Sequence, residues 1–280
     1  MKRGAWIAIG VAALVLVVVA ALSLFGAKLS KSEPVAEAPV AEAEAPKPAK
    51  PQYPISQPEP EPAPAAADAE PTETTTPEEP DPLPSLAESD EPLRNDLAQT
   101  AAPTAIERFL VPDALIRKTV VAVDNLDSDP VSRRFRPVAS VEGSVPVVRS
   151  GDSIRLDTAN YERYEPWVDA FTAASPEQLV AVYTRYYPLF QDAYEDLGYP
   201  DGYFNDRLVQ IIDHLLATPE VQGPIALKQP KVFFEFADPK LERLSWGQKA
   251  LIRMGPEQAR AVKTQLRAIR DTLLAQSGGQ

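Results

Sequence analysis

Hydrophobic and polar positions follow three regimes along the chain. From Gly4 to Phe25 the string GAWIAIGVAALVLVVVAALSLF contains no charged residue. As a helix it is long enough to cross a hydrocarbon core of roughly 30 Å. A cleaved signal peptide would have a shorter apolar run, about 7–15 residues, ending at a small-x-small site. The exit SLFGAK instead places Leu24 or Phe25 where a small residue is wanted. The run therefore predicts an uncleaved anchor. Residues 31–84 show no periodicity, and their bulky apolar side chains are Tyr53, Ile55 and Leu83. From Pro112 onward, apolar residues recur at helical spacing.

In that third regime the element signals are local and specific. PDALIRKTVVAVDNL brings Leu115, Thr119, Ala122 and Leu126 to helical spacing. SPEQLVAVYTRYYPLFQDAYEDLG opens with Ser175 as N-cap, Pro176 at the first position and Gln178 three residues on, and closes at Gly198; this is a capped helix. Pro188 inside it predicts a kink or a split into two. Tyr199-Pro200-Asp201-Gly202 suits a type I turn, and a helix follows from Phe204. Asp238-Pro239, Ser245 with Gln248, and Gly255-Pro256 separate further helices toward the C-terminus. Strand signals are few: SVPVVRSGDSIRLD reads as a hairpin around Gly151-Asp152, and KVFFEF (231–236) as a lone short strand. The expectation is a mainly α protein. It comprises an anchor with short flanks (1–30), an unfolded Pro/Ala/Glu-rich linker (31–84) and one helical domain with a small β-hairpin (85–280).

Composition sharpens the middle regime. Fifteen of the 30 prolines lie between Pro34 and Pro84, and residues 31–84 set three lysines against twelve acids. Such a segment lacks the apolar surface to offset its ordering entropy. Proline and like charge extend it, to an upper reach on the order of 150 Å at about 3.1 Å per residue. The whole chain carries a formal charge of −12, against the basic footprint that nucleic-acid binding requires. Lys2 and Arg3 precede the apolar run, and the positive-inside bias favours a cytoplasmic N-terminus. With no cysteine and one histidine, His214, thiolate chemistry is excluded and a histidine metal site would lack a second imidazole. No metal ligand set, cofactor fingerprint or catalytic motif is found: G-x-S-x-G, a phosphate-binding glycine loop and H-E-x-x-H are all missing. Two carboxylates suffice for glycoside hydrolysis, a requirement too loose to decide anything in so acidic a chain.

The densest polar cluster is EDLGYPDGYFNDRLVQIIDHLLATP, residues 195–219. A helical wheel from Phe204 gathers Leu208, Ile211, Ile212, Leu215 and Leu216 on one side, with Asp206, Gln210, Asp213 and His214 on the other. Asp206 in the first turn also complements the helix dipole. Asn205 falls on the inward side, where an amide without partners costs about 1–3 kcal/mol. It reads as a tie between the turn and the helix, or as a ligand-contacting amide. Tyr199, Asp201, Tyr203, Asn205, Asp206 and Arg207 are the candidate contact residues for a ligand or partner. Eight of the nine tyrosines lie between Tyr161 and Tyr203. Tyr161, Tyr164, Val168 and Phe171 form one helical stripe, and Tyr183, Tyr186, Phe190 and Tyr194 nearly form another. Stripes at this spacing read as core, with sugar or peptide binding as the alternative. In the last helix Val262, Leu266, Ile269 and Leu273 face inward, and Arg260, Lys263, Arg267 and Arg270 make a basic flank. That flank pairs with the domain's own acids or meets an anionic partner.

The strings PLPSLAESDEPLR, LIRKTVVAVDNL, YPDGYFNDRLVQIIDHLLATPE and GQKALIRMGPEQARAVK resemble the bacterial family called domain of unknown function 3014, over roughly residues 83–275. The layout is similar too: one N-terminal span, a variable Pro/Ala/Glu-rich segment, then the domain. The resemblance implies a Gram-negative envelope protein and carries no reaction, ligand or functional residue. The resulting expectation is a single-pass inner-membrane protein, held in the bilayer through residues 4–25, with its C-terminal domain in the periplasm. It would act as a non-enzymatic scaffold or adaptor toward an envelope partner. The alternative is a glycan-binding or glycan-acting protein using the Tyr-rich region. A solvent-open pocket holding two carboxylates among the tyrosines would favour the alternative; a flat apolar patch would favour the adaptor.

Overall fold

A computed structural model describes residues 50–55, 82–100, 103–128, 130–141 and 143–277. The predicted anchor and most of the predicted linker lie outside the described residues. Among the described residues no helix is long and apolar enough to cross a membrane.

The described residues form ten α-helices, a short 3-10 turn and four short strands. In chain order these are α1 (Asp90–Ala98), α2 (Pro103–Phe109), α3 (Leu115–Asp124), the 3-10 turn Arg133–Phe135, β1 (Val147–Ser150), β2 (Ser153–Leu156), α4 (Ala159–Glu162), α5 (Glu165–Thr172), α6 (Pro176–Asp196), α7 (Phe204–Leu216), β3 (Ala226–Lys228), β4 (Glu235–Phe236), α8 (Pro239–Glu242), α9 (Trp246–Arg253) and α10 (Pro256–Ser277). The mainly helical expectation holds.

Some boundaries follow from local caps. The Ser175 hydroxyl accepts from the Gln178 N–H at the start of α6, and Ser245 accepts from Gln248 at the start of α9. Gly198 and Gly255, both at positive φ, end α6 and α9. The start of α3 is set from a distance. Ala114 is left-handed (φ 51°), and the Asp90 carboxylate accepts from the N–H groups of both Ala114 and Leu115 at 2.7 Å. An acidic cap from another helix thus replaces the local one.

Two expectations need correction. The split expected at Pro188 does not occur: helix α6 runs for 21 residues through it. The hydrogen bond that proline removes is outweighed by the burial of Tyr183, Tyr186, Leu189 and Phe190 on the same helix. The strand content is also larger than a hairpin. Val147–Ser150 and Ser153–Leu156 do pair around Gly151-Asp152, but β3 and β4 extend them into a four-stranded antiparallel sheet in the order β1-β2-β3-β4. Of KVFFEF only Glu235–Phe236 is strand, and it pairs with the three-residue β3. A run as short as Ala-Leu-Lys has no period of its own. It becomes a strand because β2 supplies the opposing ladder, pairing Ile154 with Leu227.

The main core lies where α6 packs on α3 and α10, and where α10 also meets α5 and α7. Tyr164, Val168 and Phe171, and Tyr183, Tyr186, Phe190 and Tyr194, are all buried in it, so the aromatic stripes are core except for Tyr161, which is half-buried against a second, smaller cluster. A smaller cluster of Leu156, Ile225, Leu227, Phe236 and Ile252 seats the sheet. On α7 the wheel holds for Leu208, Ile211, Ile212 and Leu215, which are buried, and for Gln210 and Asp213, which are exposed. His214 departs from it: half-buried, its Nε2 lies 2.8 Å from the Ser245 hydroxyl that caps α9. The basic flank of α10 is partly spent within the domain. Arg270 pairs with Asp213, and Lys263 donates to the Thr218 carbonyl.

Candidate functional site

The start of α7 is built by the turn before it. Gly202 donates to the Tyr199 carbonyl at 3.0 Å, closing a β-turn. Gln191, from α6, then holds turn and helix together: its Nε2 donates to the Gly202 carbonyl at 2.8 Å, and its Oε1 accepts from the Phe204 N–H at 2.9 Å. Gln191 therefore performs the tie that the sequence assigned to Asn205. A glutamine one helix away leaves no local signature, which is why the wheel missed it.

Asn205 is instead free to reach outward from the core. It is fully buried, and its Nδ2 donates to the carbonyl of Tyr53 at 2.8 Å. Asp206 completes a clamp. Its Oδ2 accepts from the Gln52 N–H and its Oδ1 from the Tyr53 N–H, both at 2.8 Å. Residues 50–55 belong to the stretch read as linker, yet here they lie along α7, with Tyr53 and Ile55 packed against the main core. Burial alternates along the segment: Pro51, Tyr53 and Ile55 are half-buried, Gln52 and Pro54 exposed. The sequence did carry a signal for this. Tyr53 and Ile55 are bulky apolar residues two apart in a run of Ala, Pro and Glu, a spacing that puts both on one side of an extended chain.

The other candidates divide. Arg207 is a structural fork: Nε donates to Asp124 and both terminal nitrogens to Asp127, at 2.8–2.9 Å, and a further bond goes to the Asp124 carbonyl. It fastens α7 to the C-terminal end of α3, where a cation also complements the helix dipole. Tyr199 stacks on Tyr194 at 4.6 Å between ring centres and donates to Asp124. Tyr203 and Arg207 line an open cleft of about 410 Å³ beside the docked segment, together with Tyr53, Tyr194, Asp206 and Asp213. Asp201 is exposed in the turn, outside that lining.

Asp206 faces two N–H donors, and Asp213 is held by the Arg270 guanidinium, whose pKa that hydrogen bond raises. Burial pushes the Tyr187 phenol up to about 12, with the Asp206 charge adding to it, and burial followed by Asp124 does the same to Tyr194. These phenols stay protonated at neutral pH and serve as hydrogen-bonding and apolar surface. Among the described residues no group of three or more His, Asp or Glu side chains is placed to hold a metal ion.

Comparison with known proteins adds one match. The family described as Protein of unknown function (DUF3014) matches residues 115–270, from the first residue of α3 to Arg270. That interval contains the clamp residues Asn205 and Asp206 but not the segment they hold. No curated protein and no solved structure matches the chain. The chain belongs to the DUF3014 family of proteins of unknown function, to which its own strings already pointed.

Proposed function

We propose that this protein is a non-enzymatic adaptor of the bacterial envelope: a single-pass inner-membrane protein whose helical domain works in the periplasm on a Pro-rich tether. The uncharged run at residues 4–25, the composition of 31–84 and family membership support the layout. The observation that carries the activity is the backbone clamp of Asp206 and Asn205 on residues 52–53. It is a way of holding extended peptide that needs no reaction. A phosphatase fused after Gln280 should be active in cells; an inactive fusion with stable expression would overturn the periplasmic placement. A photo-crosslinker at Tyr203, at the mouth of the cleft, should capture a protein partner in intact cells. Products confined to the chain itself would sink the adaptor reading.

A second reading has a specific observation behind it. The cleft is solvent-open and does bring two carboxylates, Asp206 and Asp213, among Tyr53, Tyr194 and Tyr203. Both carboxylates are already engaged, one by backbone N–H groups and one by Arg270. The cleft therefore suits sugar binding on aromatic faces better than acid–base cleavage of a glycosidic bond. Crosslinks from Tyr203 to glycan strands would support it over the adaptor.

A further inference from the structure

The occupant of the groove on α7 comes from more than 150 residues earlier in the chain. Residues 50–55 lie outside the interval that matches the family, whereas Asn205 and Asp206 lie inside it. Positions 56–81 separate the segment from the first described residue of the domain, Pro82.

The grip reads main chain. Pro51 and Pro54 have no N–H, so Gln52 and Tyr53 carry the two donors of the Pro51–Pro54 stretch, and both end on Asp206. The next main-chain group, the Tyr53 carbonyl, takes the amide of Asn205. Side chains add a coarse selection: tyrosine at the clamped position and an aliphatic residue two further on face the core, while the positions between them face solvent. The fit is also incomplete. Among the described residues Asn205 Oδ1 is buried without a hydrogen-bond partner. An unpaired buried acceptor is a penalty, and a ligand able to place an N–H against it would bind the groove better than the internal segment does.

We propose that the groove is a binding site for an extended peptide of a partner protein. That peptide presents two successive backbone N–H groups ending at a tyrosine and an aliphatic residue two positions on. Residues 50–55 are an internal copy of this ligand that fills the groove until the partner displaces it. The proposal rests on the adaptor reading and names what the adaptor holds. A second copy of this chain is a poorer occupant. It offers the same segment and leaves the same Asn205 acceptor unpaired, so it gains nothing over the segment already in place.

The test uses the full chain in detergent. In a Tyr53→Gly, Ile55→Gly variant the internal segment loses its buried side chains and the groove opens. A fluorescein-labelled Lys-Pro-Gln-Tyr-Pro-Ile peptide should bind this variant saturably, by anisotropy, and bind the wild-type chain several-fold more weakly, by the fraction of chains whose groove is open. N-methylation of the peptide's Gln and Tyr nitrogens, or Asp206→Ala in the opened variant, should each weaken binding at least tenfold. A second measurement does not depend on that variant folding. The chain has no cysteine, so Gln52→Cys, at an exposed position, takes a single fluorophore. Excess unlabelled peptide should lower the anisotropy of the label as the segment leaves. No binding to a folded opened variant together with no response of the label would overturn the proposal, as would undiminished binding of the N-methylated peptide. Concentration-dependent dimers that the peptide dissolves would overturn the assignment to a partner in favour of a second copy. Peptide binding without cellular crosslinks would sink the adaptor reading alone; crosslinks without peptide binding would sink this proposal alone.

Discussion

Replacing Asp206 by alanine should release residues 50–55 while leaving the domain folded, and the size of each effect follows from the clamp. Asp206 makes two charge-assisted bonds to backbone N–H groups, which at the low end of about 1.5–3 kcal/mol each contribute about 3 kcal/mol. The Asn205 bond adds about 1 kcal/mol, and half-burying Tyr53 and Ile55 adds about 3 kcal/mol. Against this stands the ordering of six residues, about 6 kcal/mol at the low end of the backbone scale because two of them are prolines. The docked state is thus favoured by only about 1 kcal/mol, and losing the two Asp206 bonds reverses it. The freed N–H groups then find water, so the domain loses the docking energy, about 1 kcal/mol, plus the dipole contribution of an acid in the first turn, about 0.3–1 kcal/mol. Its melting temperature should fall by about 3–8 °C, at about 2–4 °C per kcal/mol in a domain of this size. Hydrogen exchange at the Gln52 and Tyr53 amides, in contrast, should rise to unprotected rates. A double-mutant cycle separates the clamp from the dipole effect of an acid in the first turn. In the Tyr53→Gly, Ile55→Gly background, Asp206→Ala should cost only the dipole contribution, about 0.3–1 kcal/mol. Retained protection of the two amides in Asp206→Ala would refute the reasoning.

Three further outcomes follow from other parts of the structure. Arg207→Ala should cost about 2 kcal/mol in chemical denaturation, and Arg207→Lys should recover less than half of it, because one ammonium cannot serve both Asp124 and Asp127; a lysine variant as stable as the parent would show the fork to be unimportant. Gly255→Ala should destabilise more than Gly198→Ala, by about 2 kcal/mol or more against about 1 kcal/mol. Both glycines have positive φ, but a Cβ at 255 would sit 2.6 Å from the Tyr161 ring and one at 198 would meet nothing, so equal melting temperatures would contradict the packing. Alkaline titration should show a late phenol transition. Burial holds Tyr164, Tyr187 and Tyr194 at about 12, and pushes Tyr183 and Tyr186 up as well, above about 10 for an unfolded tyrosine. The folded state therefore keeps these protons longer, so their stabilisation is full below about pH 10 and is lost as pH rises toward 12; phenolate absorbance from all nine tyrosines well before unfolding would contradict the burial.

The sequence alone was enough for whatever depends on neighbours along the chain. The caps at Ser175 and Ser245, the stops at Gly198 and Gly255 and the turn at 199–202 are encoded within a few residues of where they act. The inward face of α7 and the two aromatic stripes are encoded in periodicity, and the family in whole strings. Tertiary structure decided the rest, because those features depend on partners far away in sequence. Pro188 stays helical because its neighbours are buried. Ala226–Lys228 is a strand because β2 lies beside it. Asp90 caps a helix that starts 25 residues later. The site divides the same way. The inward position of Asn205 was legible from the wheel, but its target was not, since a wheel records which side a residue faces and not what lies there. Asp206 read as a solvated acid until Gln52 and Tyr53 were brought to it across more than 150 residues. Composition correctly marks residues 31–84 as poor in apolar surface. A stretch of six needs only two bulky side chains and three hydrogen bonds to dock, and it docks because the folded domain offers an acceptor, a donor and an apolar wall in one place.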